Sequence, residues 1–304
     1  MKIIKQSAEL EAVCPNTWQF IEKCGRVCYK SEDLITNNSA EKFVQKIIIS
    51  GHESVLEHSV VILRLSIFRY IWWKLFYPTK YFNMTCVSWR PIVSGSFRSF
   101  RDLYRAKIGN TWIEKLMNGL ALEYGDAIRY GFPCLVGKDR LKLDFIHYLE
   151  LLTEKEKMAH WVVTFRFITD RGVTHEIVRH RPPAYSQEST RYCNYRKGKY
   201  GGEVTFILPV WHYEDCNSDK YMRWFKHCKF TEDTYLEMIE NGDKPQEARD
   251  ILNNSLKTEI LMTCNLEEWK HFFKLRASEK AHPQMKALAL EALDRFREMF
   301  NMIF

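Results

Sequence analysis

The apolar positions of residues 40–50 (AEKFVQKIIIS) recur at helical spacing and stop at Gly51, which predicts a helix ending there. The β-branched run SVVILRLS that follows predicts a buried strand, and HWVVTFRFI at 160–168 predicts a second. The two match position by position: His58 with His160, Val60 with Val162, Val61 with Val163, Arg64 with Arg166. Between them, residues 67–157 begin with a run crowded with aromatics and cations. They continue with two helical patterns, 112–128 and 140–158, around a loop carrying Gly131, Pro133 and Gly137. His175–Arg181 reads as a helix stopped by Pro182–Pro183, with a loop or a new helix start after it, capped by Ser186 or Ser189. Lys244–Thr263, Asn265–Ala277 and Pro283–Phe300 read as helices. On the second, Asn265, Trp269, Phe272 and Arg276 share one face and His271 lies away from it.

At 304 residues and 46% hydrophobic content the chain can bury one large core or two small ones. A net charge of +7 suits anionic ligands, although composition alone fits an ordinary basic surface equally well. Nine cysteines, with Cys24 and Cys28 too widely spaced for a redox pair, fit reduced thiols in a cytoplasmic protein and no metal site. No signal-like apolar core and no run long enough to span a membrane is visible.

The densest chemistry lies at 170–195. Arg179, His180, Arg181 and Arg191 would repel one another in a core and make sense around phosphates, with Ser186, Gln187, Ser189 and Thr190 interleaved as neutral donors and acceptors; the alternative is a solvated basic turn. His52, Ser54, Glu57 and His58 form a compact polar cluster, readable as a capping turn. Arg276 beside Trp269 and Phe272 needs an anionic or carbonyl partner, Glu279 or Glu268 being the structural candidates. No dinucleotide-binding glycine fingerprint, P-loop or nucleophile elbow is present, and nothing around Cys134 marks a nucleophile.

RHRPPAYSQESTRY (179–192) resembles the signature of flavin-dependent thymidylate synthases, RHR-x-x-S-x-x-x-x-S-x-R. GHESVLEH (51–58) resembles that family's N-terminal histidine block. ARDILNNSLKTEI and NLEEWKHFFKLRASEKAHPQM resemble its two C-terminal blocks, in order. The resemblance implies an α+β fold with a mixed sheet flanked by long helices, and reductive methylation of dUMP to dTMP. FAD would be the cofactor, NADPH the reductant and methylenetetrahydrofolate the carbon donor. It implies a homotetramer with shared active sites; a membrane partner is not expected, and nucleic acid is the less favoured partner. Residue by residue, it gives His52, Ser54, Glu57, Arg179, His180, Arg181, Asn265 and His271 to the flavin. Glu176, Gln187, Glu188, Ser189, Arg191, Arg249 and Arg276 would hold dUMP, with Arg276 stabilising charge on the uracil.

Three departures stand out. Ala184 replaces the first serine of the signature, and Glu267 stands where the family often has arginine after Asn-Leu. Residues 67–157 interrupt a pattern that usually runs through one strand into the RHR helix. The doubled strand, and a faint echo of TCNLEEWKHFFKLRA in VSGSFRSFRDLYRA, suggest a partial internal duplication. We expect 1–304 to form a single catalytic domain with 67–157 as an appendage to it. Strands 58–66 and 160–168 would lie side by side, with Trp72 and Trp73 as anchors covering an edge or an interface. Two other readings compete: an inactive flavin- or nucleotide-binding paralogue, and a nucleic-acid binder using 68–105 as a stacking platform. Against the latter stands an aromatic core with snorkelling cations.

Overall fold

The computed structural model describes residues 1–77, 80–107, 110–125, 128, 130, 141–147, 151–196 and 201–300. In chain order its elements are β1 (Lys2–Ile4), β2 (Ser7–Val13), α1 (Trp18–Tyr29), α2 (Ala40–Ile49), β3 (Val60–Arg64), α3 (Ile67–Phe76), β4 (Phe82–Val87), β5 (Arg90–Ser96), α4 (Phe97–Ala106), α5 (Thr111–Tyr124), β6 (Asp144–Phe145), α6 (Glu154–His160), β7 (Val162–Asp170), α7 (Arg171–Ile177), β8 (Ala184–Gln187), β9 (Thr205–Ile207), α8 (Asp219–Glu240), α9 (Pro245–Ala248), β10 (Lys257–Asn265), α10 (Leu266–Arg276) and α11 (Pro283–Met299). The fold is α+β. Two four-stranded antiparallel sheets, ordered β2-β7-β10-β8 and β6-β3-β5-β4, are joined by a parallel pair, β1-β9.

β3 and β7 do not pair. β3 runs between β5 and β6 in one sheet, β7 between β2 and β10 in the other. The two sheets nevertheless follow one plan. In each, the outer partner is followed by the strand β3 or β7, then the later strand β5 or β10, then β4 or β8. In each, the later strand runs directly into a helix, α4 or α10, and a further helix follows, α5 or α11. The registers agree as well: Val60 faces Ser96 as Val162 faces Asn265, and Ser96 and Asn265 are the N-caps of α4 and α10. Each cap oxygen accepts from the backbone N–H three residues on, Ser99 or Glu268. Ahead of the matched strands, His58 bonds Thr263 and Ser186 in the second sheet. His160 bonds Ser94 and Thr85, the corresponding residues of the first. The two copies are thus stitched together by a reciprocal pair of buried histidines.

Four expected elements came out differently. Residues 244–263 hold the short α9 and a 3-10 turn at Arg249–Ile251 before becoming β10, whose uninterrupted burial erases the alternation that would mark a strand. The pattern at 140–158 splits into β6 and α6, the latter started by a capping box of Thr153 and Glu156. α7 begins at Arg171, capped by Asp170, and ends before Arg179. Ser186 caps no helix, because 184–187 pairs with β10 as β8. Gly131, Pro133, Cys134 and Gly137 lie outside the described residues.

The largest apolar core joins α1 and α2 to β3, β5 and the helices α3, α4 and α5, so the segment 67–124 packs on the family-like N-terminus rather than around a centre of its own. Trp73, Phe97 and Phe100 are fully buried there and Tyr104 nearly so, which makes the aromatic run a core and not a stacking platform. Trp73 is therefore core. Trp72 is exposed, packed at a tilt against Phe76 beside Phe68, Ile71 and Leu75 on the open face of α3. Charge also ties the segment down: buried Arg101 and half-exposed Arg105 of α4 both pair with Glu53 in the turn before β3. Glu53→Ala should cost about 3 kcal/mol, because it removes a carboxylate that neutralises the buried Arg101, whose bonds to the Ile128 and Tyr130 carbonyls bring no opposite charge. Chemical denaturation would read this as a lower midpoint with an unchanged slope.

Candidate functional site

α7 and α10 meet at their C-terminal ends, and this brings two distant polar groups together. Arg276, in the last turn of α10, donates to Glu176 Oε2 at 2.8 Å and to the Glu176 carbonyl at 2.9 Å. Its Nε donates to His180 Nε2 at 3.1 Å. A guanidinium has five N–H groups and cannot accept, so two remain for a ligand and His180 must carry its proton on Nδ1. That nitrogen lies 3.5 Å from Glu268 Oε1. Burial, the Arg276 charge and His271 hold the His180 imidazole down at about 4, so it is neutral at physiological pH. Burial pushes the Glu268 carboxyl up. The ligating atoms of His180, Glu268 and His271 lie within 4.8 Å of one another, a spacing a metal could bridge, but the guanidinium donating into His180 opposes a second cation there.

Beside this cluster opens a cavity of about 610 Å³, lined by Glu57, Arg181 and Asn265 from the expected set and by Glu268, which was expected only as a structural partner for Arg276. Residues that sequence reasoning had not singled out line it too: Lys80, Asn83, Ser96, Arg98 and Asp102. The N-caps Ser96 and Asn265 bring the positive ends of α4 and α10 to its wall. Arg98 Nη1 lies 2.6 Å from Glu57 Oε1, and burial outweighs that cation in pushing the Glu57 carboxyl up. Among the described residues, neither Arg179 nor Arg181 has a carboxylate within ion-pair distance. Volume, loose cations and helix N-termini together fit a phosphate-bearing cofactor.

The remaining expected residues are spread more widely. His52 is exposed and meets Tyr29 Oη at 3.1 Å; Tyr29 in turn contacts the Tyr192 ring, over which Arg191 lies. Ser54 is exposed in the same turn. Ser189 accepts from Arg191 N and sits on the end of α1 through Cys28. Gln187 reaches Thr174 and Thr258. Glu188 is buried against Lys257, which also holds Glu259; together they line a separate groove of about 560 Å³. Flanking cations hold the Glu259 carboxyl at about 2. Arg249 is exposed, 3.9 Å from Asp250, away from the other expected residues' contacts. The partner of Arg276 is Glu176, not Glu279 or Glu268. A signal for the residues missed was present: the echo of TCNLEEW in VSGSFRSF aligns Ser96 with Asn265 and leads directly to Arg98.

Fold and site define an α+β protein with a cation-bearing cleft where two like sheets meet. The chain belongs to the family described as thymidylate synthase complementing protein, which matches residues 9–90 and 126–300. Curated relatives include the flavin-dependent thymidylate synthase of Pyrococcus furiosus, 37% identical over 136 residues, 43% of this chain and 53% of the relative. That of Geobacter sulfurreducens is 31% identical over 162 residues, 53% of this chain and 67% of the relative. The chain spans about half the length of the first of these relatives.

Proposed function

We propose that this chain is a flavin-dependent thymidylate synthase that converts dUMP to dTMP. Methylenetetrahydrofolate would be the carbon donor and NADPH the reductant, acting through FAD. The reading rests on one observation above the others: α7 and α10 bring Glu176, His180 and Arg276 together beside a cavity that also receives Arg181 and Asn265. FAD, when bound, supplies the redox chemistry; the protein binds, orients and polarises. Glu57, Arg181 and Asn265 would hold the flavin in the cavity, and the family resemblance supports flavin contacts for His52, Ser54, Arg179, His180 and His271 as well. Arg276 keeps two N–H groups for the uracil edge, fixed by Glu176 and the neutral His180, so its charge needs no reorganisation as negative charge builds on the ring. Glu176 would face the same substrate. Gln187, Glu188, Ser189, Arg191 and Arg249 would serve its sugar and phosphate. Ser189 would bind rather than attack, since no base stands beside its hydroxyl among the contacts described.

Residues 1–304 would act as one catalytic domain and assemble as a homotetramer. The open apolar face of α3, with Phe68 82% and Leu75 70% exposed, supports assembly. Among the described residues no helix is long and apolar enough to cross a membrane; the cytoplasmic location we propose rests on the family resemblance. The test is tritium release from 5-tritiated dUMP with FAD, NADPH and methylenetetrahydrofolate. Release that depends on all three is expected. A protein that quenches flavin fluorescence but releases no tritium would be the inactive paralogue instead.

A further inference from the structure

The cavity lies where the two copies of the sheet plan meet, and its lining is paired accordingly. Counting outward from the matched registers, Asn83 corresponds to Ala184, which places Lys80 opposite Arg181; counting into the helices, Ser96 and Arg98 correspond to Asn265 and Glu267. All of these line the cavity except Glu267, the counterpart of Arg98, which is exposed outside it. At the second position of its helix the first copy therefore offers the cavity an arginine where the second offers nothing. Arg98, with all of the strand before it but Arg90, belongs to residues 91–125, the stretch the family pattern does not match, whereas Lys80 lies within the matched residues 9–90.

We propose that the first copy, residues 58–124, is a duplicated scaffold that has become the second wall of the cofactor pocket, with Lys80 and Arg98 as binding residues for the cofactor's pyrophosphate. The chain thereby closes that pocket from its own sequence. The chemistry supports a doubly charged ligand. Lys80 and Arg181 come one from each copy, and neither has a carboxylate within ion-pair distance among the described residues. The N-termini of α4 and α10 add partial positive charge from both sides. Arg98 spends its Nη1 on Glu57 and approaches Asp102 at 3.5 Å, which steadies the side chain and leaves further N–H groups for an oxygen ligand. Glu57 is thereby held by the insert too, so the histidine block and the duplicated copy act on one pocket.

The inference rests on the flavin reading, and the experiment separates the two. Purified full-length protein is stripped of flavin and titrated with FAD and with riboflavin, following fluorescence quenching at low and high salt. Wild type, Lys80→Ala, Arg98→Ala, Arg98→Lys and Arg181→Ala are compared, each with a thermal melt. We expect Lys80→Ala and Arg98→Ala each to weaken FAD about fivefold or more, with a shallower salt dependence, while riboflavin, which has no phosphate, is held as in wild type. Arg98→Lys recovers part of the loss. If both insert variants bind FAD as wild type does while Arg181→Ala is impaired, the flavin reading stands and the second wall is refuted. If wild type binds no flavin, both fall. If Arg98→Ala also melts lower, Lys80→Ala decides, since its exposed side chain has no ion pair to lose.

Discussion

Arg276→Ala is expected to reduce dTMP formation by roughly 100- to 1000-fold while FAD still binds, the loss of about 3–4 kcal/mol that removing a charged donor from a dry site produces. The guanidinium is only partly buried and sits at a helix end, so little stability goes with it. Its removal leaves the Glu176 carboxylate without its 2.8 Å partner and frees His180 Nε2. A second readout follows. Arg276 is among the charges that hold His180 down at about 4, so in the variant the imidazole should titrate closer to its usual range. NMR titration of the His180 ring measures this independently of turnover. Near wild-type turnover, or an unmoved His180, would remove Arg276 from the site.

The other large effect is on stability in mild acid. His58 and His160 are both fully buried between pairs of hydroxyls, and burial holds each at about 4. The unfolded chain takes up these protons near 6.5 and the folded chain only near 4, so between those values the unfolded state binds more of them. Stability is therefore complete above pH 6.5 and is lost as pH falls toward 4, by roughly 3 kcal/mol per histidine. The Glu259 network does not mask this, because a carboxyl held at about 2 gives up its stabilisation only at lower pH. Melting temperature followed from pH 7.5 to 4.5 should drop steeply, and the double variant His58→Gln, His160→Gln should flatten that slope while lowering the plateau. A flat wild-type profile would mean that the histidines do not carry the junction between the two copies.

Much was legible from the residues. The helices at 40–49, 266–276 and 283–299 are there because capping groups and 3.6-residue periodicity are local properties, written in consecutive side chains. The strands β3 and β7 were legible for the same reason, and so were the residue types that a phosphate-bearing ligand requires. β10 was not, because a strand buried on both faces has no polar alternation to betray it. Two like strands gave no hint of whether they pair or repeat, since pairing is decided by which later segments supply the facing register: β5 for β3, and β10 for β7. The chain alone singled out Arg179–Arg181 and Arg276 as candidates. Only the tertiary structure decided that Arg276 answers Glu176 and His180 across a hundred residues, and that Arg98 and Lys80 from the inserted copy share a cavity with Arg181. Such partners are set by the packing of whole sheets, whose long-range contacts leave no mark on any short window of sequence.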